Sequence, residues 1–152
     1  MSRQERYGTR SLAYSRWHRP LADKFGLIDI DAAEYCRACS EPLALIETTR
    51  DVGQSHKPVT VTRNLGRRAD VPVYVAFYAL APEHPVECPL CGNELAADIV
   101  GFRLRPMGST ETNIGPELRL TPHEMESWLH RLHRDHDNTC EVLRPYRERA
   151  TP

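Results

Sequence analysis

The fold turns on Leu27-Ile28-Asp29-Ile30-Asp31-Ala32-Ala33-Glu34-Tyr35 and, after a turn, Pro42-Leu43-Ala44-Leu45-Ile46-Glu47-Thr48-Thr49. In the first segment Ile28 and Ile30 alternate with Asp29 and Asp31, the period of two of a half-buried strand. The same alternation puts Asp29 and Asp31 on one face. The second segment is a short apolar run that ends in a carboxylate, and it predicts a buried strand hairpinned to the first over 27–49. Residues 36–42 read as the turn.

Outward from this hairpin, Gly53 breaks the second strand, and residues 58–69 predict a helix. Pro58 suits a first helical position, and Val61, Leu65 and Ala69 lie four apart on one face. Gly66 and the β-branched residues weigh against it. Residues 71–80 are nearly all apolar or aromatic, as a central strand buried on both faces should be. Strand, helix and buried strand in succession imply a right-handed crossover joining parallel strands. Pro82, Pro85 and Pro89 mark 81–92 as a loop, 99–104 predict a further strand, and 106–120 read as an irregular connection. Thr121-Pro122-His123-Glu124 is a capping box with proline at the first position. Met125, Trp128, Leu129 and Leu132 follow at helical spacing, giving a C-terminal helix over 121–137. The expected fold is α/β (α+β): a central mixed sheet with hairpin 27–49, crossover helix 58–69, parallel strand 71–80, an extra strand 99–104 and the terminal helix. The expected organisation is an N-terminal arm 1–26 with a short helix halted by Pro20, one domain over 27–138, and a tail 139–152.

A chain of 152 residues with 40% hydrophobic and 27% charged side chains has the size and balance of one globular domain. A disordered, collagen-like or coiled-coil chain is excluded. The longest apolar run, Val73 to Ala81, has nine residues, short of the ~20 that a membrane-spanning helix needs. The first residues lead into no apolar run, so neither a signal peptide nor a membrane partner is expected, and the expected location is the cytoplasm of a bacterial or phage-infected cell. Net charge is −1, which by itself predicts no partner. Its distribution says more. Residues 1–26 carry Arg3, Arg6, Arg10, Arg16, Arg19 and Lys24 against Glu5 and Asp23, and the hairpin then inverts the sign. A basic arm beside an acidic core suits an anionic ligand met through a metal ion, although an ordinary solvated tail has the same composition.

Five cysteines, an odd number, without an export signal argue against a disulfide framework. Four form two CxxC pairs, Cys36-Arg-Ala-Cys39 and Cys88-Pro-Leu-Cys91-Gly92. This spacing lets two thiolates grip one tetrahedral Zn²⁺ from a tight turn. A structural zinc held by Cys36, Cys39, Cys88 and Cys91 is therefore expected. Residues 81–87 are just long enough to carry the second pair back to the hairpin tip, since seven extended residues reach ~25 Å and a seven-residue strand spans ~23 Å. His130, His133 and His136 drift around the terminal helix in steps of three among Arg and Asp, and read as a solvated polar face.

Asp31 and Glu47 end up on neighbouring predicted strands. Carboxylates converging there make a hard-oxygen pocket for Mg²⁺, which can polarise a phosphodiester and lower the pKa of a bound water. The alternative is a solvated edge with Glu47 paired to an arginine.

The segment from Ile28-Asp-Ile-Asp31 to Pro42-Leu-Ala-Leu-Ile-Glu47 resembles the central hairpin of the PD-(D/E)xK, or restriction-endonuclease-like, nuclease superfamily, in particular its small bacterial and phage members. The resemblance covers residues 27–80. It implies a Mg²⁺- or Mn²⁺-dependent nuclease acting on DNA, with Asp31 (Asp29 its rival) and Glu47 as metal ligands, joined by the carbonyl of Thr48. The superfamily places a lysine two residues after the glutamate. Here that position holds Thr49, which carries no charge. Some members move the lysine to the following helix, and Lys57 is the only lysine nearby, with Arg50 and Gln54 as weaker substitutes. His18 is either a further ligand or structural. Arg16 and Arg19 of the arm, with Arg63, Arg67 and Arg68, would meet phosphates. The expected partners are a nucleic acid, DNA before RNA, and a second copy of the chain. Without a lysine in reach, the expectation becomes a non-catalytic zinc-binding module for nucleic acid or protein, or a phage-borne remnant.

Overall fold

The computed structural model describes Pro20, residues 30–81, 99–107 and 115–145, and the backbone of 86–87 and 94–95. The chain divides into two compact units, Ile30–Leu80 with Ile99–Pro152, and Met1–Asp29 with Ala81–Asp98. In the second of these, strands β4 (Val86–Glu87) and β5 (Glu94–Leu95) form a small antiparallel pair. The larger unit holds the central sheet.

Its sheet is built from β1 (Ala32–Tyr35), β2 (Pro42–Arg50), β3 (Val73–Leu80), β6 (Ile99–Pro106) and β7 (Leu118–Leu120), in the order β1-β2-β3-β6-β7. Only β2 and β3 run parallel, and helix α1 (Thr60–Ala69) connects them. The other pairs are antiparallel. Helix α2 (Pro122–Asp137) follows β7. The mixed sheet, the crossover helix and the terminal helix thus stand where the sequence predicts them, and the hairpin does so over 32–50; its first strand is corrected, since Ile30 and Asp31 precede β1 with Ile30 exposed, and 27–29 lie outside the described residues. Strand β7, inside the predicted irregular connection 106–120, and β4, inside the predicted loop 81–92, correct those readings: two or three residues are too few to show a period.

Both faces of the sheet are covered, which is why β2 and β3 read as continuous apolar runs rather than alternating ones. Toward α2, Ala44, Ile46, Ala76 and Leu104 pack with Met125, and Tyr74 meets Trp128 edge to face at 4.9 Å. Toward the other face point Leu45, Val73, Val75 and Phe77, covered by Val59, Val71 and Met107. The predicted apolar stripe of α1 is corrected. Val61 and Leu65 face solvent, and the helix buries Thr62 and Gly66 instead. The reason is close approach: a Cβ on Gly66 would lie 2.3 Å from Val73 Cγ2 and 2.7 Å from the Val71 carbonyl. Asp70 ends the helix in a left-handed conformation, its N–H bonded to the Gly66 carbonyl. Helix α2 begins with the predicted capping box, Thr121 and Glu124 each accepting from the other's backbone N–H. No helix among the described residues is long and apolar enough to cross a membrane.

Candidate functional site

Register brings the hairpin carboxylates together. Ala32 pairs with Ile46, so Asp31, just before β1, comes opposite Glu47. Lys57 reaches both from the connection between β2 and α1. Its ammonium donates to Asp31 Oδ2 at 2.6 Å, to Glu47 Oε2 at 3.0 Å and to the Thr48 carbonyl at 2.7 Å. The three protons of one ammonium thus meet three oxygens. Asp31 Oδ2 also accepts from the Thr48 backbone N–H at 2.7 Å, and Glu47 Oε1 accepts from Thr62 Oγ1 at 2.5 Å. Thr62 therefore explains why a polar residue is the buried contact of α1: it satisfies a carboxylate that is itself only 5% exposed. The Asp31 and Lys57 side chains keep 32% and 24% exposure, so the group opens to solvent on their side.

Two carboxylates face one ammonium, and the electrostatics follow. Partial burial pushes the Asp31 carboxyl up, but its hydrogen bonds to Lys57 and Thr48 and the lysine charge outweigh this and hold it below the usual carboxylate range. Burial likewise pulls Lys57 down, and its bonds and attraction to Asp31 and Glu47 more than reverse that, leaving it above the usual lysine value.

The segment carrying Lys57 is braced from β6. Arg103 donates to both oxygens of Asp51, at 2.7 and 2.9 Å, and to the Gln54 carbonyl at 2.9 Å. Arg105 donates to the Ser55 carbonyl and, at 2.7 Å, to Glu117, which Arg103 also reaches. The Arg103 guanidinium lies over the Phe77 ring at 4.4 Å. The hydrogen bond from Arg103, with that from the Gly53 N–H, holds Asp51 down at about 2. Gln54, considered as a lysine substitute, is occupied within its own turn, bonding the Arg50 carbonyl and the Val52 N–H. Among Lys57, Arg50 and Gln54, Lys57 is the one bonded to the carboxylates.

A second cluster lies at the hairpin tip. Donor atoms of Cys36, Cys39, His136 and Cys140 all fall within 4.8 Å of one another, a group able to hold a metal ion such as zinc. Cys39 Sγ and His136 Nε2 are 3.3 Å apart. No disulfide involves Cys36, Cys39 or Cys140. Cys36 and Cys140 are buried with Leu43, against Leu132 and Leu143. The backbone N–H groups of Cys39 and Ala38 turn toward the Cys36 sulfur and, against the effect of burial, bring its thiol down to about 7.

The sequence identifies half of this quartet, Cys36 and Cys39. His136 and Cys140 complete it within the larger unit, while Cys88 and Cys91 lie outside the described residues, as do Asp29, His18, Arg16 and Arg19. The reading of the helix histidines as a solvated face is corrected for two of three: His133 meets Glu34 at 3.1 Å and His136 joins the cysteines, while His130 stays exposed beside Glu126. The missed signal is His136-x-x-x-Cys140, together with the fifth cysteine that two CxxC pairs leave over. On α1, Arg67 and Arg68 are exposed and Arg63 half-buried. No family model, no curated protein and no solved structure matches the chain.

Proposed function

We propose that the protein is a magnesium-dependent nuclease that hydrolyses phosphodiester bonds of DNA. The observation that carries this reading is the meeting of Asp31, Glu47 and the Thr48 carbonyl at a single cationic atom, Lys57 Nζ. Three oxygens gathered around one positive charge suit a hard divalent ion, which takes oxygen ligands. Asp31, Glu47 and the Thr48 carbonyl would hold it, and Mn²⁺ would serve in its place. Such an ion supplies Lewis-acid polarisation of the phosphodiester and a more acidic bound water.

The chain's own residues do the rest. Thr62 orients Glu47 by donating to its Oε1, and the Thr48 N–H donates to Asp31 Oδ2 and with Lys57 favours the ionised Asp31. An ion among those oxygens would displace the Lys57 ammonium toward the open side of the group, where its positive charge and N–H donors would stand beside the phosphate oxygens on which negative charge develops. The new bond is from water oxygen to phosphorus; the bond from phosphorus to the departing sugar oxygen breaks, and that oxygen leaves with a proton. Arg67 and Arg68, with Arg63, would contact backbone phosphates from α1. The reading puts the protein in the cytoplasm of a bacterial or phage-infected cell, where thiols stay reduced.

Purified protein should nick or degrade DNA with Mg²⁺ or Mn²⁺ and stop on chelation. Glu47→Gln and Lys57→Ala should each lower the rate by about 10²-fold or more while circular dichroism shows the fold retained. Full activity in either variant sinks the assignment.

A second reading is favoured by the cysteine–histidine cluster: a zinc-bearing module that binds nucleic acid without cutting it. It predicts DNA binding that persists in Glu47→Gln and no turnover with any divalent ion.

A further inference from the structure

We infer that Cys36, Cys39, His136 and Cys140 form a closed zinc site that clamps the tip of the β1–β2 hairpin to the C-terminal end of α2. Zinc takes thiolate and imidazole ligands in a tetrahedron, with Zn–S ~2.3 Å and Zn–N ~2.0 Å, so its ligand atoms lie roughly 3.5–3.8 Å apart. The four donor atoms here already fall within 4.8 Å of one another, with Cys39 Sγ and His136 Nε2 at 3.3 Å.

Local backbone builds each half. In the hairpin, the Cys36 N–H bonds the Glu41 carbonyl at 2.9 Å and the Ser40 N–H bonds the Cys36 carbonyl at 2.7 Å, with Ser40 at φ 64°. This closed turn aims both CxxC sulfurs to one side. At the end of α2, the Cys140 N–H bonds the His136 carbonyl at 2.8 Å, which keeps the two side chains one turn apart. Leu43, Leu132 and Leu143 surround the group. Three sulfurs and one imidazole select zinc over magnesium. On binding, three thiols release protons to solvent and four ligands fill the coordination shell, leaving no open position, so the role is structural.

The clamp has a consequence for the carboxylates. Strand β1 has four residues, lies at the sheet edge, and shifts register between Glu34 and Tyr35. A one-residue slip reverses every side chain of a strand, which would turn Asp31 away from Glu47. Tying the tip to α2 fixes that register. The link to catalysis rests on the nuclease reading; the zinc site does not.

The test uses the full chain, purified without chelator, and involves no DNA, so its failure is separate from failure of the nuclease reading. Elemental analysis should find at least one zinc per chain. Cobalt(II) substituted for it should show tetrahedral bands with thiolate charge transfer. Cys140→His, which keeps a ligand, should bind cobalt with the charge transfer of two thiolates instead of three. His136→Ala should weaken metal affinity by tenfold or more. Cys88→Ser/Cys91→Ser should retain the three-thiolate, one-histidine spectrum. Stripping the metal should lower hydrogen-exchange protection in β1 more than in β3. Background zinc in the unaltered chain, an unchanged spectrum in Cys140→His, loss of that spectrum in Cys88→Ser/Cys91→Ser, or β1 protection indifferent to the metal overturns the inference.

Discussion

Lys57 and the acids around it set the pH behaviour of single residues. Asp31 has a lowered folded pKa, so its stabilising effect is complete above the unfolded value near ~3.9 and fades as pH falls through the folded one. Asp51, held at about 2, loses its contribution as pH falls from ~4 toward that value. Lys57 has a raised pKa, so its contribution is complete below ~10.4 and is lost as pH climbs through the folded value. Stability from these groups is therefore full between those limits. Asp51→Asn should flatten part of the acid limb between pH 4 and 2, read as urea midpoint against pH, and an acid limb identical to the parent's would contradict the Arg103–Asp51 pairing as its source. Lys57→Ala should flatten part of the alkaline limb of the same plot, the rest belonging to half-buried Tyr74, and lower stability at neutral pH, because Glu47 stays buried without its counter-charge. The lysine itself was legible, as the only one near the hairpin. Its contact with the Thr48 carbonyl was not, since that contact depends on how the connection folds back.

At the scale of elements, two helices answer to different rules. α2 was readable from its capping box and apolar spacing because both are local. Thr121→Ala should cost about 1 kcal/mol, measured by chemical denaturation, by removing the side-chain acceptor for the Glu124 N–H. α1 was located correctly but turned the wrong way. Helix propensity alone would have Gly66→Ala stabilise by up to ~1 kcal/mol. The contact with Val73 and the Val71 carbonyl reverses the sign. Overpacking there should cost about 1–3 kcal/mol net, and a stabilised variant would show that α1 does not pack as described. Glycine in this helix marks an approach to the sheet, a fact visible only once β3 lies beneath it.

For the whole molecule, the central packing should dominate. Leu104 of β6, fully buried beneath α2, should cost about 2–5 kcal/mol when cut to alanine. Under the nuclease reading, DNA affinity should fall steeply with salt, and Arg67→Ala/Arg68→Ala should shallow that slope by about one to two, as two phosphate contacts are lost. A slope unchanged by the pair would place the DNA elsewhere. By itself the sequence determined the mixed sheet, the hairpin with its opposed acids and the capped terminal helix, because periodicity, turn residues and caps act over a few neighbouring positions. Only the tertiary structure decided that Lys57 binds both acids, that α1 packs through Thr62 and Gly66, and that His136 and Cys140 meet Cys36 and Cys39 across about a hundred residues. Such meetings depend on the register of strands and the closing distance of helices, which are set by packing energies summed over the whole core.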